Sequence, residues 1–142
     1  IRACRAELEA LLPAHGRELG LDRLPLEYRP DVEMVAKMED AGQAVWISVR
    51  RQGQLCGYSL YTFGRTFLYA GAPLYAVNAT IYLTPAVRSL AAARALLRKG
   101  EQVVREHGAA AILMGITPAR DIGSLLRRDG FRVTQTLYTK YL

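Results

Sequence analysis

The sequence predicts a mixed α/β (α+β) sandwich, a mixed sheet flanked by helices. Three observations predict it. Helical patterns come first, a hairpin and a strand follow, and then helix, strand, helix and strand alternate. Residues 110–116 form an unbroken apolar run, as expected for a strand buried on both faces. Residues 91–107 carry the clearest amphipathic helix: Ala93, Leu96, Leu97, Gly100, Val103, Val104 and His107 share one face, and charged residues fill the other. Gly100 on the inner face costs about 1 kcal/mol against alanine, so it implies close packing on the sheet.

The elements follow in order. Residues 2–12 space Leu8, Leu11 and Leu12 among charges, an amphipathic helix with Pro13 near its end. Residues 20–30, punctuated by Pro25 and Pro30, read as a loop. Asp31 can cap a second helix that runs to about Ala41 and stops at Gly42. Residues 45–49 and 55–63 read as two strands joined by a turn at 51–54. Residues 75–83 alternate, with Tyr75, Val77, Ala79, Ile81 and Leu83 on one face and Ala76, Asn78, Thr80 and Tyr82 on the other. Gly108 stops the long helix. A short helix over 119–129 ends at Gly130, and 131–142 is expected to hold one or two closing strands.

At 142 residues the chain fits a single domain, 1–142, with half its residues apolar. No apolar run approaches the roughly 20 residues of a membrane span. The chain starts at Ile1 without a methionine, and the expectation is that residues precede it. Cys4 and Cys56 make no disulfide framework and suit a reducing cytoplasm as buried or free thiols. The net charge of +6 attracts anions, with a polyanionic small ligand and nucleic acid as the candidates. The arginines are spread over helix faces, which fits a solvated surface better than a nucleic-acid patch. No His, Cys and carboxylate cluster has metal-ligand spacing, so no metal is expected. His15 and His107 lack a serine or cysteine partner at useful spacing, and His107 suits the end of a helix.

The segment Ile81-Tyr82-Leu83-Thr84-Pro85-Ala86-Val87-Arg88-Ser89-Leu90-Ala91-Ala92-Ala93 reads as a strand, a turn and the first turn of a helix. That junction leaves backbone N–H groups unpaired beside the positive end of a helix dipole. Arg88 adds a cation, and the small residues at 91, 92 and 93 allow close approach. The combination reads as a cradle for pyrophosphate.

The spacing Arg88-x-x-Ala91-x-Ala93 resembles the Arg/Gln-x-x-Gly-x-Gly/Ala signature of the GCN5-related N-acetyltransferases (GNAT). Ile81, Leu83, Pro85 and Arg88 resemble the pattern before it, and Gly123–Phe131 is similar to the last helix of that family and its Gly-Phe exit. The likeness runs from about residue 30 to the end and looks closest to small proteins of phages and prophages. It implies a GNAT-like sheet in which strands 75–83 and 110–116 splay apart around acetyl-coenzyme A, the cosubstrate. The backbone of Ile81, Tyr82 and Leu83 would hold pantetheine. Arg88, Ser89, Leu90, Ala91, Ala92, Ala93 and Arg94 would hold the pyrophosphate. Glu27 and Tyr28 would border the acceptor groove.

Two residues depart from the family pattern. Ala91 stands where glycine is usual, and Leu126 stands where many members place a proton-donating tyrosine. No Asp or Glu lies between Tyr75 and Leu83 to serve as the usual base. Asn78 and Tyr138 are the catalytic candidates that remain. Tyr75, Tyr82 and Tyr141 are further hydroxyls for which packing is the plainer reading. The resemblance thus implies acetyl transfer to a primary amine on a small molecule, a protein or a modified nucleobase. The alternative is a GNAT-fold binding module, weak or inactive in catalysis, for acyl-coenzyme A, a protein or a nucleic acid. An exposed final strand with Tyr138 and Tyr141 would allow a homodimer.

Overall fold

A computed structural model describes residues 1–20, 28–65, 71–117, 121–137 and 140. Helix α1 (Arg5–Glu18) follows a short 3-10 turn at Arg2–Cys4. Pro13 lies inside α1 rather than at its end. The helix runs on because the turn beyond Pro13 is anchored by His15, which is 1% exposed. Helix α2 (Val32–Asp40) starts as expected, with the Asp31 carboxylate accepting from the Met34 N–H at 2.9 Å.

Strands β1 (Ala44–Arg51) and β2 (Gln54–Gly64) form an antiparallel hairpin. Its tight turn needs positive φ at both central residues, and Gln52 (52°) and Gly53 (83°) supply it. Strand β3 (Tyr75–Leu83) pairs antiparallel with β2, and β4 (Ala111–Met114) pairs parallel with β3, giving the order β1-β2-β3-β4. Helix α3 (Leu90–Glu106) makes the crossover between β3 and β4.

The sheet has a core on each face. On one, Leu8 and Leu12 of α1 and Val32 of α2 pack on Tyr58 and Tyr82. On the other, Val104 of α3 packs with Tyr61 and Ala76. Gly100 behaves as its position implied: an added methyl would overlap the hydroxyl of Tyr61. Helix α4 (Gly123–Arg128) is tied to the start of α3 by an Arg94–Asp129 ion pair of 2.9 Å.

Three expectations are corrected. The alternation of β3 breaks at a bulge, because Leu60 pairs with Thr80 while Tyr61 pairs with Asn78. Neighbours on β2 face opposite ways, so Asn78 and Thr80 lie on opposite faces of the sheet rather than together. Strand β4 is not buried on both faces: Leu113 is 42% exposed, and among the described residues β4 is the last strand of the sheet. The expected closing strands do not appear at 131–137, which are irregular and mostly exposed. Tyr138 and Tyr141, and with them the dimer edge, lie outside the described residues, as does Glu27.

Candidate functional site

Strands β3 and β4 stay paired only from Tyr75 to Asn78. Beyond that point, among the described residues, β3 runs on to Leu83 with β2 alone beside it. The Thr84 N–H donates to the Cys56 carbonyl at 2.9 Å, which makes Gly57–Leu83 a non-hydrogen-bonded pair. Residues of such pairs turn their own N–H and C=O away from the partner strand. Leu83, and Ile81 two residues before it, therefore aim their peptide groups at the gap where β4 has left. This is the splay that the family likeness implied.

The gap opens into a cleft of ≈ 250 Å³. Its walls are mostly hydrocarbon: Ala93 and Leu97 of α3 on one side, Ile116, Ile122 and Leu125 on another. Polar groups enter at a few points, chiefly His15, Tyr28, Asn78, Thr80 and Arg88. Leu125 rather than Leu126 lines the cleft, and Leu126 is buried at 7% exposure. Neither leucine can donate a proton.

The two polar clusters sit on opposite faces. On the α3 face, the Asn78 amide donates to Ser59 Oγ at 2.8 Å and to the Leu60 and Thr80 carbonyls at 3.3 and 3.2 Å. Its donors are spent on the peptide groups that the bulge displaces. On the α1 face, the Tyr28 hydroxyl and Thr80 Oγ1 are 3.0 Å apart. His15 Nδ1 and the Tyr58 hydroxyl are 2.6 Å apart, and the imidazole stacks on Tyr82 at 4.5 Å. Burial pushes the Tyr28 and Tyr58 phenols up from their ordinary value.

The β3–α3 junction forms the end of the cleft. Ser89 caps α3, its hydroxyl accepting from the Ala92 N–H at 3.1 Å. The N–H groups of Leu90 and Ala91 precede any i−4 acceptor inside the helix. Among the described non-glycine residues only Gln52 has positive φ, so alanine at 91 carries no backbone strain. Ala92 and Ala93 follow within the first turn. Arg88 folds back, donating to the Leu83 carbonyl at 2.8 Å and pairing with Glu18 at 2.6 Å. The Arg94 guanidinium is engaged by Asp129. The junction thus holds the groups the motif named, with both cations already paired.

Sequence reasoning missed His15 and Glu18. His15 shows no local signal because its partners, Tyr58 and Tyr82, stand on β2 and β3. Glu18 falls beyond the helix read over residues 2–12 and belongs to no motif. Tyr82 pairs with Tyr58 on β2, and its ring is core, 1% exposed.

No family model matches the chain, and no curated protein does. Solved structures do. An acetyltransferase from Trypanosoma brucei is 18% identical, with 94% of each chain covered and a TM-score of 0.67. A ribosomal-protein-alanine N-acetyltransferase from Brucella melitensis biovar Abortus 2308 is 16% identical, covers 99% of this chain and 94% of its own, and has a TM-score of 0.72. A transcriptional regulator from Bacillus halodurans C-125 is 17% identical, covers 94% and 95%, and also scores 0.72. At these identities the likeness shows the fold: a mixed sheet flanked by helices, as in the GNAT acetyltransferases. The likeness to phage-encoded proteins rests on the sequence alone.

Proposed function

We propose that the chain is a single acetyltransferase-like domain that transfers the acetyl group of acetyl-coenzyme A to a primary amine. The observation that carries this reading is the open edge of β3, where Ile81 and Leu83 turn their peptide groups into an apolar cleft that ends at Arg88 and the start of α3. Ile81 and Leu83 would hold pantetheine through backbone, while Tyr82 between them turns its peptide groups to β2. Arg88 and the junction from Ser89 to Arg94 would hold the pyrophosphate. Acetyl-coenzyme A supplies an activated acyl carbon and a thiolate leaving group.

The chain supplies position and protons. A rigid bulge at Asn78 and two aimed peptide groups orient the reactants, which is where much of an acyl-transfer barrier can be lowered. The Tyr28 hydroxyl lines the cleft beside Thr80 Oγ1, and we assign it the donation to the departing thiolate that a tyrosine in place of Leu126 would make. No carboxylate lines the cleft among the described residues, so the amine loses its proton to water. Asn78 acts as a positioning residue, because its amide donors are spent on the bulge.

The second reading, a module that binds acyl-coenzyme A without turnover, is favoured by one observation: Arg88 is already paired. A calorimetric titration with acetyl-coenzyme A, followed by thiol release against a panel of amines, separates the two. The proposal expects saturable binding, about tenfold weaker in Arg88→Gln, and turnover with at least one amine. Binding without turnover would leave the module. No binding at millimolar ligand would end both.

A further inference from the structure

Glu18 ends α1, and its Oε1 lies 2.6 Å from Nη2 of Arg88. The pair is partly withdrawn from solvent, with the two side chains 23% and 33% exposed. The same guanidinium donates through Nε and Nη2 to the Leu83 carbonyl, at 3.2 and 2.8 Å. That carbonyl is one of the two that the register aims into the cleft. An internal carboxylate therefore stands on the cation that would meet a phosphate, and that cation covers the carbonyl that would meet a pantetheine amide.

We propose that Glu18 is a built-in competitor for the phosphate cradle, setting the affinity of the site for its cosubstrate. Carboxylate and phosphate oxygens compete for the same planar fork of guanidinium donors. A pyrophosphate that takes Arg88 displaces Glu18, and as the guanidinium swings out it uncovers the Leu83 carbonyl. One exchange thus opens both subsites. His15 of α1 and Leu19 just after it line the cleft, so the exchange takes place beside its wall. The inference rests on the acyl-coenzyme A reading above.

The test uses coenzyme A itself, titrated into the wild-type chain, Glu18→Gln, Arg88→Gln and the double variant. Glu9→Gln controls for charge, because exposed Glu9 pairs with Arg5 on the same helix. Glu18→Gln is expected to bind about three- to tenfold tighter, the scale of a partly exposed ion pair. Glu9→Gln should change binding less than twofold, and the gain should vanish in the Arg88→Gln background. Glu18→Asp keeps the charge and shortens the reach, so it should fall between wild type and Glu18→Gln. It also covers the case in which Glu18→Gln folds poorly. Wild-type binding with no gain in either Glu18 variant would overturn the competitor and leave the acyl-coenzyme A reading intact. So would an equal gain in Glu9→Gln, or a gain that persists without Arg88. Failure of the wild type and both Glu18 variants to bind coenzyme A would overturn the reading and the competitor together.

Discussion

At the scale of single residues the site divides into groups that hold shape and groups that face the cleft. Asn78 holds shape. Replacing it by alanine removes the donor to Ser59 and to two carbonyls, and should cost about 1–3 kcal/mol, read as a lowered thermal midpoint. Gly100 also holds shape. On helix propensity alone Gly100→Ala would stabilise by about 1 kcal/mol. The buried Tyr61 hydroxyl reverses the sign, and a loss of about 1–3 kcal/mol by thermal or urea unfolding is the expected result. Tyr28 faces the cleft. Tyr28→Phe should leave the dissociation constant for acetyl-coenzyme A within about twofold while turnover with a productive amine falls about ten- to a hundredfold. Equal turnover in both chains would remove Tyr28 from the chemistry.

Elements were legible where one residue type leaves a local mark. Asp31 announced α2 and does cap it, so Asp31→Ala should cost about 1 kcal/mol in unfolding free energy. The boundaries of β3 were read from the pattern as Tyr75 to Leu83, and they stand. The bulge within β3 left no mark, because an inserted residue in a strand needs no special composition when its φ stays negative. That single residue moved Asn78 to the opposite face from Thr80 and changed the meaning of both. The apolar run at 110–116 was read as a doubly buried strand, since periodicity reports hydrophobicity and not position in a sheet. The junction at 88–93 was legible because strand, turn and helix start are consecutive. The groups that engage it are not: Glu18 reaches Arg88 from α1, 70 residues away along the chain.

Over the whole molecule, buried phenols and one salt-bridged acid make stability depend on pH. Tyr28, Tyr58 and Tyr61 are all raised from 10.0, with burial the leading cause. A raised phenol contributes stability that is intact below its unfolded value and is lost as pH rises through its folded one. Unfolding should therefore set in above pH 10, and absorbance of the phenolates should rise together with loss of circular dichroism. Glu7 acts at the other end. Its carboxylate is held below 4.5 by the bond from Arg50 and by the Leu55 N–H, so its contribution stands above 4.5 and is lost as pH falls further. The net charge of +6 gives the molecule a general attraction for anions. No helix among the described residues is long and apolar enough to cross a membrane.

The central claim is that the open edge of β3 receives the cosubstrate. The most direct measurement is an amide-resolved NMR titration of the ¹⁵N-labelled chain with coenzyme A. The account predicts saturable shifts at the amides of Ile81, Leu83, Leu90 and Ala91, with the paired amides of β1 and β2 unmoved. Saturable shifts confined to other surfaces, or none at millimolar ligand, would contradict it.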